Sequence, residues 1–196
     1  MRNFGLTFSK SLRRLRKSGA VTQERAPSTI GIIEEEDETS MFNNLCSRLG
    51  EGDEESWEEV RVWMRTHDED QVREAVLMVG DNGMTALHYI CRSDPPIDVA
   101  LPIIELGRDA LAFPDHFEWL PIHYACACSA FPEVINAMLD EYPEGKTTVD
   151  SKGRAPLHFA LSNVNPTRPM TAEIVESLVS TGAATYPDDN GMLVSS

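Results

Sequence analysis

The chain has 196 residues, of which 41% are apolar and 25% charged, enough for one domain of ordinary size plus a tail and too few for a second large core. Its net charge of −15 is uneven: residues 1 to 25 carry seven Lys or Arg against Glu24 alone, a local charge of +6 that leaves −21 for the rest. So acidic a body repels phosphate, which excludes nucleic acid as a partner of the folded part and favours a basic or neutral protein surface.

No stretch of ~18 apolar residues is present, so integral membrane association is not expected, and the N-terminus lacks the apolar run of a secretory signal. Cys46, Cys91, Cys126 and Cys128 show no paired Cys-x-x-Cys spacing. They read as reduced thiols of an intracellular protein, cytoplasmic in the first instance.

Residues 1–39 read as a disordered tail. Its first half is basic around Lys10-Ser11-Leu12-Arg13-Arg14-Leu15-Arg16-Lys17, and its second half ends in Glu34-Glu35-Glu36-Asp37-Glu38. Neither half has enough large apolar side chains to offset chain entropy. Phe4, Phe8, Leu12 and Leu15 fall on one helical face with basic residues on the others. That face admits an organelle presequence, a basic nuclear or membrane-surface segment, or a solvated tail.

Between residues 40 and 79 the pattern predicts two helices, Met41 to Leu49 and Ser56 to Thr66, joined by Gly50-Glu51-Gly52-Asp53. Trp57, Val60, Trp63 and Met64 form one apolar stripe on the second. Glu54, Glu55, Glu58 and Glu59 give it a polar outer side, as suits a terminal unit facing water on one flank. We read 40–79 as a degenerate first repeat that caps the array.

Three clearer repeats follow. Gly83-Met84-Thr85-Ala86-Leu87-His88-Tyr89-Ile90-Cys91, Glu118-Trp119-Leu120-Pro121-Ile122-His123-Tyr124-Ala125-Cys126 and Gly153-Arg154-Ala155-Pro156-Leu157-His158-Phe159-Ala160-Leu161 share one pattern, with the histidines 35 residues apart. A fixed period of this size means stacked helical units. The units run approximately 80–114, 115–149 and 150–187, with a partial one at 188–194. First helices are predicted at Thr85 to Arg92, Leu120 to Cys128 and Ala155 to Ser162. Second helices are predicted at Val99 to Leu106, Pro132 to Glu141 and Thr171 to Thr181. Gly107 and Gly182 mark stops that call for a left-handed residue. Pro102 is expected to kink its helix or delay its start. The insertion from Asn163 to Pro169 is expected in a loop between the two helices of the third repeat.

The pattern resembles the ankyrin repeat, Gly-x-Thr-Pro-Leu-His-x-Ala, well over 80–194 and loosely over 40–79. The resemblance implies an all-α helix-turn-helix solenoid with short hairpin-like tips, and a non-catalytic scaffold that binds a partner protein on its concave face. In the family the threonine hydroxyl hydrogen-bonds at the helix start and with the histidine. Here only Thr85 is present, with Leu120 and Ala155 in its place, so the tie is expected at Thr85 alone. Ala86 also stands where the family has proline. A modestly stable, slightly irregular stack is expected, and a monomer.

Carried over position by position, the partner-binding tips are Asn82 and Met84; His116, Phe117 and Trp119; Ser151, Lys152 and Arg154; and Asn190 and Met192. The helix-end positions are Arg92 and Ser93, Ala127 and Cys128, and Ser162 and Asn163. Phe117 and Trp119 stand out as aromatic anchors, since the family has small or polar residues there and such anchors contribute ~2 kcal/mol or more when desolvated. The competing reading of Trp119 is packing against a neighbouring tip. His88, His123 and His158 are read as structural, linking helix starts to neighbouring repeats.

His88 with Cys91, and His123 with Cys126 and Cys128, are a zinc-like donor set. Leu161 fills the cysteine slot in the third repeat, so packing of small buried residues is the reading taken, with no metal and no cofactor. No Ser, His and Asp set and no Gly-rich phosphate loop occurs, and no enzyme is expected. Two alternatives remain: a metal- or redox-responsive regulator using these His and Cys residues, and an adaptor whose basic tail targets it to an organelle or membrane surface.

Overall fold

The structure, a computed structural model, describes residues 38–50, 54–128, 130–163 and 171–179. Among these residues it is all-helical: α1 Glu38–Ser47, α2 Glu54–Thr66, α3 Glu69–Leu77, α4 Ala86–Arg92, α5 Ile97–Leu106, α6 Pro121–Ala127, α7 Pro132–Glu141, α8 Pro156–Ser162 and α9 Ala172–Leu178. None of these is long and apolar enough to cross a membrane. The expectations for the tail up to residue 37, the insertion after Asn163, the stop at Gly182, and Asn190 and Met192 lie outside the described residues.

The helices pack in two layers. Helices α1, α4, α6 and α8 lie side by side in chain order, and α3, α5, α7 and α9 form the second layer against them. Short α4, α6 and α8 are sandwiched, so apolar side chains surround them instead of lining one stripe. In α4 every residue from Ala86 to Cys91 is buried. Leu87, Ile90, Ile103, Ile104, Ile135, Met138, Leu157 and Leu178 fill the space between layers.

The N-terminal region differs from the two-helix unit that its sequence predicts. The helix packed against α1 in the second layer is α3, a third helix beyond the two expected, whereas α2 packs on α1 and α5 beside the two layers. Helix α3 buries Val72, Ala75 and Val76 fully and Leu77 in part, too short a pattern to stand out. Its start, however, was legible: Asp68 Oδ1 accepts from Gln71 N at 2.9 Å while Gln71 Oε1 accepts from Asp68 N at 2.9 Å, a reciprocal cap. Helix α1 also begins earlier than expected, and Thr39 at its start is buried.

Helix α5 runs through Pro102 from Ile97, so the proline neither ends it nor postpones its start. Gly107 ends this helix, but not through a left-handed conformation, since its φ is −105°. Close approach is the reason instead. A Cβ there would run into Val76 Cγ1 of α3 and sit 3.0 Å from the Ile103 carbonyl oxygen.

Gly107→Ala is therefore expected to destabilise the protein by ~1–3 kcal/mol, as overpacking does. Urea midpoints would read this, with Gly50→Ala as the control, because a Cβ at Gly50 meets nothing within 4 Å.

Candidate functional site

The segments that lead into α4, α6 and α8 are built alike. Each is a tight turn closed by a backbone bond across its mouth: Gly80 N to Met84 O (2.8 Å), Asp115 N to Trp119 O (2.9 Å) and Asp150 N to Arg154 O (3.0 Å). Such turns require a left-handed residue, and Gly83 (φ 76°), Glu118 (φ 62°) and Gly153 (φ 73°) supply it. Neighbouring tips are tied along the array, His116 N donating to Asn82 O at 2.9 Å and Ser151 N to Phe117 O at 3.4 Å.

Two aspartates that the sequence reading passed over organise the second and third tips. Asp115 Oδ1 accepts from Phe117 N (2.8 Å) and Trp119 N (2.9 Å), and its Oδ2 accepts from the Tyr124 hydroxyl (2.7 Å). Asp150 Oδ1 accepts from Lys152 N and Arg154 N, and its Oδ2 from Arg154 Nε and Nη2. The signal was there to be read: both aspartates precede the turn residue by three and stand 35 residues apart. Burial pushes the Asp150 carboxyl up, but the Arg154 side chain and the two backbone N–H groups outweigh it and hold the group below its ordinary value.

Behind each tip sits a histidine. Nδ1 of His88, His123 and His158 accepts the backbone N–H of Thr85 (3.0 Å), Leu120 (2.9 Å) and Ala155 (3.0 Å). The hydroxyl tie is found at Thr85 alone, as expected, whereas the bond from the main-chain N–H needs no hydroxyl and is made at all three positions. Thr85 Oγ1 adds a second contact at 2.9 Å. With Nδ1 accepting, Nε2 carries the proton, and it donates from His88 to Trp119 O (3.1 Å) and from His123 to Thr148 O (3.2 Å). His158 Nε2 is buried and meets no partner among the described residues.

The expected partner-binding residues divide by exposure. Asn82, Arg92, His116, Phe117 and Lys152 face solvent, and Phe117 is the most open large apolar side chain described, at 62%. Met84 is buried at 5% and so cannot meet a partner without the tip opening. Trp119 packs inward, its ring centroid 4.5 Å from Phe159 and 4.9 Å from Tyr124, with the Arg154 guanidinium 5.5 Å from it. Packing is therefore the role its geometry supports. Arg154 is half-buried and held by Asp150. Asn163 reaches back to the end of α6, its Nδ2 donating to Cys126 O and Ala127 O. Cys128 is half-buried, whereas Cys46, Cys91 and Cys126 are fully buried and burial pushes their thiols up, away from reactivity. Among the described residues no three His, Cys, Asp or Glu side chains converge to hold a metal ion. Comparison with known proteins adds nothing to this geometry, since no family model and no curated protein matches the chain.

Two outcomes follow from the tips. Burial lowers the proton affinity of His88 and brings His123 down to about 4 from an ordinary value of 6.5. The unfolded chain then binds more protons than the folded one between these values, so stability falls as pH drops from 6.5 toward 4, by about 3 kcal/mol from His123. Asp150, with its lowered value, adds loss of the same sign as the carboxylate range is crossed. Urea midpoints across this interval test the claim, and unchanged midpoints would contradict it. Separately, Glu118 holds a left-handed conformation that a glycine adopts freely, so Glu118→Gly is expected to raise stability by ~0.5–1 kcal/mol in the same assay.

Proposed function

We propose that the chain is an ankyrin-type array that captures a partner protein on the face made by its tips and first-layer helices, and that it carries out no chemistry of its own. Phe117 is the observation that carries this reading: a large apolar side chain 62% exposed, on a tip whose backbone Asp115 and the neighbouring tip hold in place. A rigid aromatic that loses little entropy on contact is what an interface anchor requires. His116 and Lys152 flank it on the same row of tips, and the body around them is acidic, which favours a basic or neutral partner. Glu118, kept in a strained conformation beside Phe117, fits a position where contact with a partner outweighs stability.

Trp119 takes a different part in this reading. Its ring wedges between Tyr124 of α6 and Phe159 of α8, so it anchors the tip that carries Phe117 against these two helices. Phe117→Ala and Trp119→Ala should consequently separate. Phe117→Ala is expected to leave thermal stability within ~0.5 kcal/mol of the parent while partner capture falls at least roughly tenfold. Trp119→Ala is expected to cost ~2–3 kcal/mol of stability, as loss of a packed aromatic does. Capture experiments run beside thermal denaturation give both readouts. A Phe117→Ala protein that still captures the same partners as tightly would sink the proposal.

A further inference from the structure

A second surface, sharing no residue with the tips, lies between α1 and α2. The two helices run antiparallel, with Phe42 and Trp63 in ring contact at 4.3 Å, and they leave a groove of about 400 Å³ along their outer side. Its floor is apolar: Leu45 from α1, and Val62 and Trp63 from α2. Val62 is 46% exposed, and Met41, one turn before Leu45 on the same face of α1, is 49% exposed, which lengthens the strip. Glu55, Glu58 and Glu59 form its rim.

The charges on α2 are sorted. Arg61 is taken up by Glu54, Glu58 and Asp98, and Arg65 by Glu58, so the cations of this helix already have carboxylate partners. Glu55 and Glu59 stand one turn apart beside Val62, and neither enters an ion pair among the described residues. An apolar strip bordered by two carboxylates, Glu55 and Glu59, that no cation answers among the described residues is complementary to one kind of ligand. That ligand must present aliphatic or aromatic side chains in a row with Lys or Arg alongside.

We propose that the α1–α2 groove docks a basic amphipathic helix from a partner protein. The floor takes its apolar anchors at i, i+3 or i+4 and i+7, and Glu55 and Glu59 take its flanking cations, the helix-in-groove mode of recognition. Helix α2, at 13 residues, spans ~20 Å, which matches about three turns of ligand. Extra helix α2 thereby acquires a use beyond covering α1: without it the chain would have the layers but no groove. This inference does not depend on the reading of the tips, and each can fail alone.

The probe is a labelled synthetic helix of about 18 residues, leucines on one face and lysines on the others, titrated into the full chain by fluorescence anisotropy. Saturable binding is expected, weakened at least roughly tenfold by the pair Glu55→Lys and Glu59→Lys and likewise by Val62→Glu, all three exposed positions whose change spares the core. A peptide of equal charge with its leucines scrambled should bind at least roughly tenfold more weakly. Equal binding of the scrambled peptide, or indifference to the three substitutions, would reduce the interaction to attraction by an acidic surface and overturn the proposal. No binding to the full chain overturns it as well. Were binding to appear only when Leu12 and Leu15 are changed to Asp, the groove's ligand would be the chain's own N-terminal segment and not a partner.

Discussion

His88 and His123, which open α4 and α6, make hydrogen bonds in two directions, and the order of the molecule follows from that. Nδ1 accepts the N–H at the start of its own helix, and for His88 and His123 Nε2 donates to a carbonyl in the segment leading to the next helix. A single neutral ring thus caps one helix and fixes its distance to the following unit. An apolar residue of that size would leave two main-chain groups unsatisfied, at a cost of ~1–3 kcal/mol each. The arrangement works only while the ring is neutral, because a protonated ring has no acceptor to offer the helix N–H. Burial enforces that neutrality.

The tips inherit their rigidity from this frame. Asp115 and Asp150 gather the N–H groups of their own turns, the turns bond to one another, and Trp119 fills the gap between Tyr124 and Phe159. Most of the unusual side chains near the tips are therefore spent on position. Phe117 is not, and its exposure beside so much satisfied polar structure is why we assign it to a partner. In the same way the cations of α2 are spent on their neighbours, which leaves Glu55 and Glu59 facing the open groove.

The 35-residue period made the helices from α4 to α9 legible, along with the shared position of the three histidines, because a repeated motif averages out local ambiguity. Helix α7 begins and ends where Pro132 and Glu141 were expected to place it. Outside the period the signal failed. Helix α3 is short, mostly charged and carries a small apolar set, so only its cap announced it. Glycine was misread at Gly107 because a sequence records that a side chain is absent without saying whether torsion or a neighbour forbids it, and Val76 is the neighbour. Trp119 shared a tip with Phe117, yet whether its ring turns inward depends on a contact with Phe159 of α8, which lies far along the chain.

Histidine-selective 15N NMR of the folded protein tests the central claim most directly. The account predicts that His88 and His123 are neutral at pH 7 with the proton on Nε2 and Nδ1 unprotonated, and that both signals hold this state on acidification below pH 6.5 until the fold itself gives way. Ring nitrogens that average between tautomers, or that take up a second proton near pH 6.5 while the protein stays folded, would contradict it.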